Sequence, residues 1–139
     1  MRHECNLSWT AGVPAGEDAG GPSMNDADFA RRYYEAWNKR DLEAILALYG
    51  DDIEFSSPYI AALGFSPDGV IHGKGMLRAY FEKALERAPQ LTFTPEALCV
   101  GARGHTLVYR NHRGERAAET HEMDGIGLVV RADATYATE

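Results

Sequence analysis

Cysteine is almost missing from this chain. Cys5 and Cys99 are the only two, and neither stands at metal-ligand spacing from another cysteine, so a cysteine-built metal site is excluded. A reduced protein of the cytoplasm is the expectation that follows. Basic residues are also few. Against 21 Asp and Glu there are 14 Lys and Arg, a formal charge of −7, which argues against nucleic acid and anionic membranes as partners. No apolar run nears the roughly 20 residues of a membrane-spanning helix. Arg2 and His3 are followed by no apolar stretch of signal-peptide length, so export is not expected. There is no internal repeat, phosphate loop, nucleophile motif or metal-ligand cluster, and no metal or cofactor is expected.

What remains is the composition of one soluble globular domain: 139 residues, 45% hydrophobic and 25% charged. Residues 1–23 stand apart. The stretch from Gly12 to Pro22 is rich in Gly, Pro and acid without a period of 2 or 3.6, and it cannot bury enough apolar surface to offset its conformational entropy. A disordered or non-native extension is expected there, with Met24 as the expected native start and residues 24–139 as the folded domain.

From Met24 the patterning is legible. Asn25 or Asp26 caps a helix on which Phe29, Tyr33 and Trp37 share a face at i, i+4 and i+8. Asn38-Lys39-Arg40 breaks it, and Asp41 caps a second helix with Leu42, Ile45, Leu46 and Tyr49 inward and Gly50 as its stop. Ile53–Phe55 reads as a short strand, and residues 56–72 as a long loop of the kind that forms lids. A third helix carries Met76, Leu77, Tyr80, Phe81, Ala84 and Leu85 and ends before Pro89.

The last third switches to a period of 2. Leu91, Phe93, Ala97 and Cys99 alternate along a strand that Pro95 marks as an edge or a bulge. Strands follow over Thr106–Asn111 and Arg116–Met123, and Asp124-Gly125 is a hairpin signal. The final strand sets Leu128, Val130, Ala132, Ala134 and Tyr136 against Val129, Arg131, Asp133 and Thr135. Helices first and an antiparallel meander after define an α+β domain: a cone-like barrel of curved, mostly antiparallel sheet packed by three N-terminal helices, with a pocket inside.

Glu119 and His121 carry the chemistry in this pattern. Two apart in a strand, they face one side together with Ala117 and Met123. Ionisable groups are rarely placed on an apolar face without a partner or a job. Burial favours a neutral Glu119 carboxyl while His121 beside it favours the anion, so the two are expected to titrate as a coupled pair. Tyr33 is a candidate donor to an enolate oxygen. Trp37, Phe55, Met123, Ala132 and Tyr136 are candidate walls, and His72 a candidate for the mouth. The competing reading gives Glu119 and His121 a structural role, paired with Arg110 or Arg116 across the sheet. His105 and His112, in or beside turns, read as solvated.

Several of these segments carry a family resemblance. Tyr34 to Phe55, Ile71-His-Gly-Lys-Gly-Met-Leu-Arg-Ala-Tyr-Phe81 and Asp124 to Tyr136 resemble the SnoaL-like group of the nuclear transport factor 2-like superfamily, over essentially all of residues 25–138. The resemblance implies an α+β cone, commonly a homodimer, in a superfamily that holds isomerases, cyclases, hydrolases and non-catalytic binders. Laid on its ketosteroid isomerase branch, the oxyanion-hole tyrosine falls on Tyr33 and the second, carboxylic oxyanion donor on Glu119. The general base falls on Ser57, which cannot abstract a proton unaided. A shifted register that turned Asp133 inward would instead resemble limonene epoxide hydrolases, whose paired aspartates and arginine activate water. The expected ligand is a small hydrophobic carbonyl compound, handled by a cofactor-free isomerase or cyclase with Glu119, His121 and Tyr33 as its chemical groups. The alternatives are a non-catalytic ligand-binding or dimerisation module and an epoxide hydrolase-like enzyme.

Overall fold

The computed structural model describes residues 25–138; the expected extension, Met24 and Cys5 lie outside them. Helix α1 (Asp26–Asn38) starts where Asn25 Oδ1 accepts the Asp28 amide at 2.8 Å, with Asp26 and Asp28 in the positively polarised first turn. Its stripe of Phe29, Tyr33 and Trp37 is buried, joined by Tyr34 and Ala36. Arg40, at φ 53°, takes the left-handed conformation that ends this stretch. Asp41 then caps the short α2 (Leu42–Leu46) through the Ala44 amide.

Tyr49 and Gly50, expected as the end of α2, belong instead to β1 (Tyr49–Ser56). Pairing decided this, because Tyr49 lies beside Val129 and the Val129 amide donates to the Leu48 carbonyl. The long loop after β1 is also structured. Ser57 caps α3 (Pro58–Ala62), with Pro58 in its first turn, and β2 (Val70–His72) pairs antiparallel with β1. Helix α4 (Lys74–Arg87) buries Leu77, Tyr80 and Phe81 but leaves Met76 46% exposed. There are thus four helices among the described residues where three were expected, the added one lying in the Pro- and Gly-rich stretch read as a loop. None is long and apolar enough to cross a membrane.

Strands β3 (Thr94–Val100), β4 (Gly104–Arg110), β5 (Arg116–Met123) and β6 (Val129–Tyr136) complete a six-stranded sheet in the order β2-β1-β6-β5-β4-β3. Only β1–β6 is parallel. The sheet ends on β2 and β3 and so does not close; this open, mixed, mostly antiparallel sheet packed by helices is the α+β architecture expected from the sequence. The expected meander itself stands.

Two bulges change the faces read from simple alternation. Glu96 is the extra residue of an irregularity after Pro95, so Leu98, not Ala97 or Cys99, lies opposite the core residue Leu107. Cys99 is disulfide-bonded, against the expectation of reduced cysteines. Val130 is the extra residue between the Met123–Val129 and Glu122–Arg131 pairs. Val129 is therefore the fully buried position, while Ala132 and Ala134 keep the inward face expected of them. At the start of β4, any Cβ on Gly104 would overlap the His121 carbonyl oxygen. That glycine lets the β4 backbone approach β5 at the level of His121.

Candidate active site

The β4–β5 ladder builds the site. Its register sets His105 opposite His121, Leu107 opposite Glu119 and Tyr109 opposite Ala117. All six are buried, because side chains two apart share the face that α1 covers. Met123 is only partly buried, at the register irregularity, and leaves the row.

Glu119 is the centre of a dense polar cluster in this apolar layer. Its Oε1 accepts from Tyr33 at 3.0 Å and from Tyr109 at 3.4 Å. Its Oε2 accepts from Tyr49 at 3.4 Å and lies 2.7 Å from His121 Nε2. The Tyr33 and Tyr109 hydroxyls are themselves 3.4 Å apart. The polar path continues beyond His121, whose Nδ1 lies 2.9 Å from His105 Nε2, while His105 Nδ1 lies 2.8 Å from Asp26 Oδ1. The Phe29 ring packs against both imidazoles, with centroids 4.7 and 5.3 Å away.

Burial dominates the electrostatics. The Tyr33, Tyr49 and Tyr109 hydroxyls are held well above the ordinary tyrosine value by desolvation first, and next by the Glu119 charge. Tyr80 is pushed up to about 12, mainly by burial. These phenols are hydrogen-bond donors and not bases at any ordinary pH. Burial also lowers His121, opposed by the hydrogen bond and charge of Glu119, with His105 lowering it further. His121 is thus a neutral imidazole bonded through both nitrogens, one donating and one accepting.

A cavity of about 360 Å³ opens onto this cluster. Exposed Arg87, His112 and Arg113 mark its rim, and the nearly inaccessible Tyr33, Tyr109 and Glu119 mark its inner end. Trp37, Phe55, Tyr80, Phe81, Phe93 and Tyr136 make the wall between. The space is that of a small organic ligand, and its lining is aromatic with one carboxyl group.

The sequence-derived candidates divide on this geometry. Glu119, Tyr33, Trp37, Phe55 and Tyr136 line the cavity, and His121 lies directly behind Glu119. Ser57 does not line it: its hydroxyl accepts the Tyr59 amide as a helix cap and lies 3.5 Å from the Tyr80 hydroxyl. His72 is exposed at the end of the edge strand β2 and does not line the cavity. Ala132 is buried opposite His121 and does not line the cavity, which its neighbour on the same face, Ala134, does. Met123 lies at the other end of the ladder, in a separate depression.

His105 is the clearest correction among the histidines, being 3% exposed where a solvated position was expected. The β4 strand begins two residues earlier than its apolar pattern suggests, and this turns His105 inward. His112 is exposed, as expected, although it lies on the rim. The arginines named as possible partners, Arg110 and Arg116, bond Glu96 instead. Asp133 is exposed and accepts from Ser56 at 2.8 Å, so it supplies no second carboxylate to the cavity. Tyr49, Tyr109, His105 and Asp26 belong to the cluster although none is among the site residues expected from the sequence. For Tyr109 and His105 the signal was present, since both continue the period-2 row through Leu107. Among the described residues, no group of three or more His, Cys, Asp or Glu side chains is arranged to hold a metal ion.

Residues 30–137 match the family model of the SnoaL-like domain, and the chain belongs to that family. It is similar to a SnoaL-like protein of unknown function from Burkholderia thailandensis at 35% identity, with a TM-score of 0.77 over 84% of this chain and 100% of the other. A putative ketosteroid isomerase from Kribbella flavida shares the fold at 19% identity and TM-score 0.61, over 80% of this chain and 76% of the other. A putative polyketide cyclase from Sinorhizobium meliloti does so at 12% identity and TM-score 0.65, over 81% of this chain and 100% of the other. Comparison with curated protein sequences finds no match.

Proposed function

We propose that the cavity binds a small hydrophobic carbonyl compound and that Glu119 moves its α-proton, as in a cofactor-free isomerase or cyclase. The observation that carries this reading is a carboxyl group only 4% exposed at the inner end of an aromatic cavity, within 3.0 Å of a tyrosine hydroxyl. An aromatic wall suits a planar apolar body, and a single carboxyl suits one proton transfer. The tyrosines add a device for timing. While Glu119 is an anion, it holds the Tyr33 and Tyr109 hydrogens. Once it takes a proton from the substrate, it stops competing for them, and the hydroxyls can turn to the enolate oxygen as its charge develops. The family's isomerase-like and cyclase-like neighbours agree with this chemistry.

The test is deuterium exchange. Cyclic ketones incubated with the protein in D2O should lose α-protons in NMR spectra faster than in buffer. Glu119→Gln should slow that exchange by about 10²–10⁴-fold. Ketones that bind without any accelerated exchange would refute the catalytic reading and leave a ligand-binding module. One observation favours that second reading: Ser57, where the isomerase branch has its base, is occupied as a helix cap. The epoxide hydrolase reading lacks support, because Asp133 faces outward.

A further inference from the structure

We propose that Asp26, His105 and His121 form a proton relay between Glu119 and the solvent at the opposite end of the β4–β5 ladder. The inference rests on Glu119 being the proton-handling group of the cavity. Three consecutive contacts of 2.8, 2.9 and 2.7 Å connect Asp26 to His105, His105 to His121 and His121 to Glu119. Both imidazole side chains are wholly inaccessible, whereas the Asp26 side chain is 35% exposed. Asp26 and His105 line a depression formed by the Gly101–Gly104 and Asp124–Gly127 turns. The substrate cavity has its rim at the Asn111–Arg113 turn, the other end of the same two strands. The path therefore runs through the protein and not along its surface.

Proton counting shows what such a path can do. Each of the three hydrogen bonds holds one proton, so with two carboxyls and two imidazoles the chain of groups carries one net negative charge. Two arrangements with neutral imidazoles satisfy this count. In one, Glu119 is the acid and Asp26 the anion; in the other, the reverse holds. They interconvert when each proton crosses its own hydrogen bond. Glu119 Oε2–H breaks as His121 Nε2–H forms, His121 Nδ1–H breaks as His105 Nε2–H forms, and His105 Nδ1–H breaks as Asp26 Oδ1–H forms. Three protons remain three, and the negative charge passes from Asp26 to Glu119. Asp26, being solvent-accessible, can then exchange with water. Among the described residues, His121 is the one partner of the Glu119 carboxyl that can both accept and pass on a proton, since the tyrosines around it are held as phenols.

The surroundings leave the path intact. The ionisable groups facing it are Tyr33 from α1, Tyr49 from β1, Glu122 from β5, and Arg103 and Asp124 from the adjoining turns. The Phe29 ring packs against both imidazoles. A pair that served only to fill space would gain nothing from exposing its far end to solvent through Asp26.

The experiment reads the histidines themselves in the full chain labelled with nitrogen-15. Long-range proton–nitrogen spectra from pH 5 to 8 report which nitrogen of each ring carries hydrogen. His105 and His121 are expected to change together. Asp26→Asn is expected to move the His121 transition by about one pH unit, the scale of coupled sites, although Asp26 touches only His105. Glu119→Gln, probing from the other end, is expected to change the His105 tautomer balance in the same way. His121 unchanged in Asp26→Asn and His105 unchanged in Glu119→Gln, with backbone spectra preserved, would overturn the relay. If Asp26→Asn loses its fold, the Glu119→Gln result decides alone. Coupled histidines in a protein that exchanges no ketone proton would remove the catalytic reading only. Turnover with independent histidines would remove the relay only.

Discussion

The Tyr33 hydroxyl donates to Glu119 Oε1 across 3.0 Å and so ties the first helix to the fifth strand, 86 residues later in the chain. Both groups are buried, Tyr33 completely. A buried acceptor that loses a donor keeps its desolvation cost without compensation. Tyr33→Phe should therefore lower the unfolding free energy by about 1–3 kcal/mol in urea melts. Stability within a few tenths of wild type would show that Tyr109 and Tyr49 hold the carboxylate adequately without it.

The buried histidine sets an acid-side dependence. Burial holds His121 below the ordinary imidazole value of about 6.5, so as pH falls the unfolded chain takes up that proton first. Stability rises with pH wherever the unfolded state binds more protons. The unfolding free energy should thus decline as pH drops from about 7 to 5, and decline less steeply in His121→Gln. Equal slopes for the two proteins would show that His121 contributes nothing in this window. The depressed carboxylates Glu43, Asp68, Glu96 and Asp124 act at lower pH, where they lose their partners.

The tyrosines set the alkaline side. All seven in the sequence lie in the described residues, and all are raised, with burial as the first cause in each. A raised folded-state value keeps its stabilisation below the unfolded value of about 10 and loses it above. Absorbance at 295 nm should show little tyrosinate until the protein unfolds in alkali, and both signals should then change together. A gradual rise in tyrosinate with secondary structure intact would contradict the burial of the cluster.

Gly104 offers a test of the backbone approach that seats His121. A methyl group there meets the His121 carbonyl, so Gly104→Ala must push the two strands apart. The expected loss is about 1–3 kcal/mol, the range for overpacking, read as a lower thermal midpoint. Gly75, whose Cβ would meet nothing, is the control, and Gly75→Ala should leave the midpoint near wild type.

Trp37 reports on the cavity. It lies in the wall and is one of two tryptophans in the sequence. An apolar ketone entering the cavity should change its fluorescence saturably, and Trp37→Phe should remove that change. A ligand-dependent signal that survives Trp37→Phe would place binding elsewhere.

Local pattern made most of the architecture legible. The i, i+4, i+8 stripe of Phe29, Tyr33 and Trp37, the Asp41 cap and the alternation of Ala117, Glu119 and His121 each depend on neighbours a few residues away. The helix and strand periods act at that range. The sequence likewise sufficed to mark Glu119 and His121 as a pair on one face, and Pro95 as the sign of an edge or a bulge, β3 being an edge strand with a register shift after Pro95. The departures came from partners far along the chain. Tyr49 left its helix to lie beside Val129, Arg110 and Arg116 took Glu96, and Val130 bulged so that Val129 turned inward. The site followed the same division. Which residues share a strand face is written in a two-residue period. That His105, Asp26, Tyr49 and Tyr109 would converge on that face was decided by strand register and by the placement of α1 over the sheet. Those are set by packing of the whole core, to which no local segment has access.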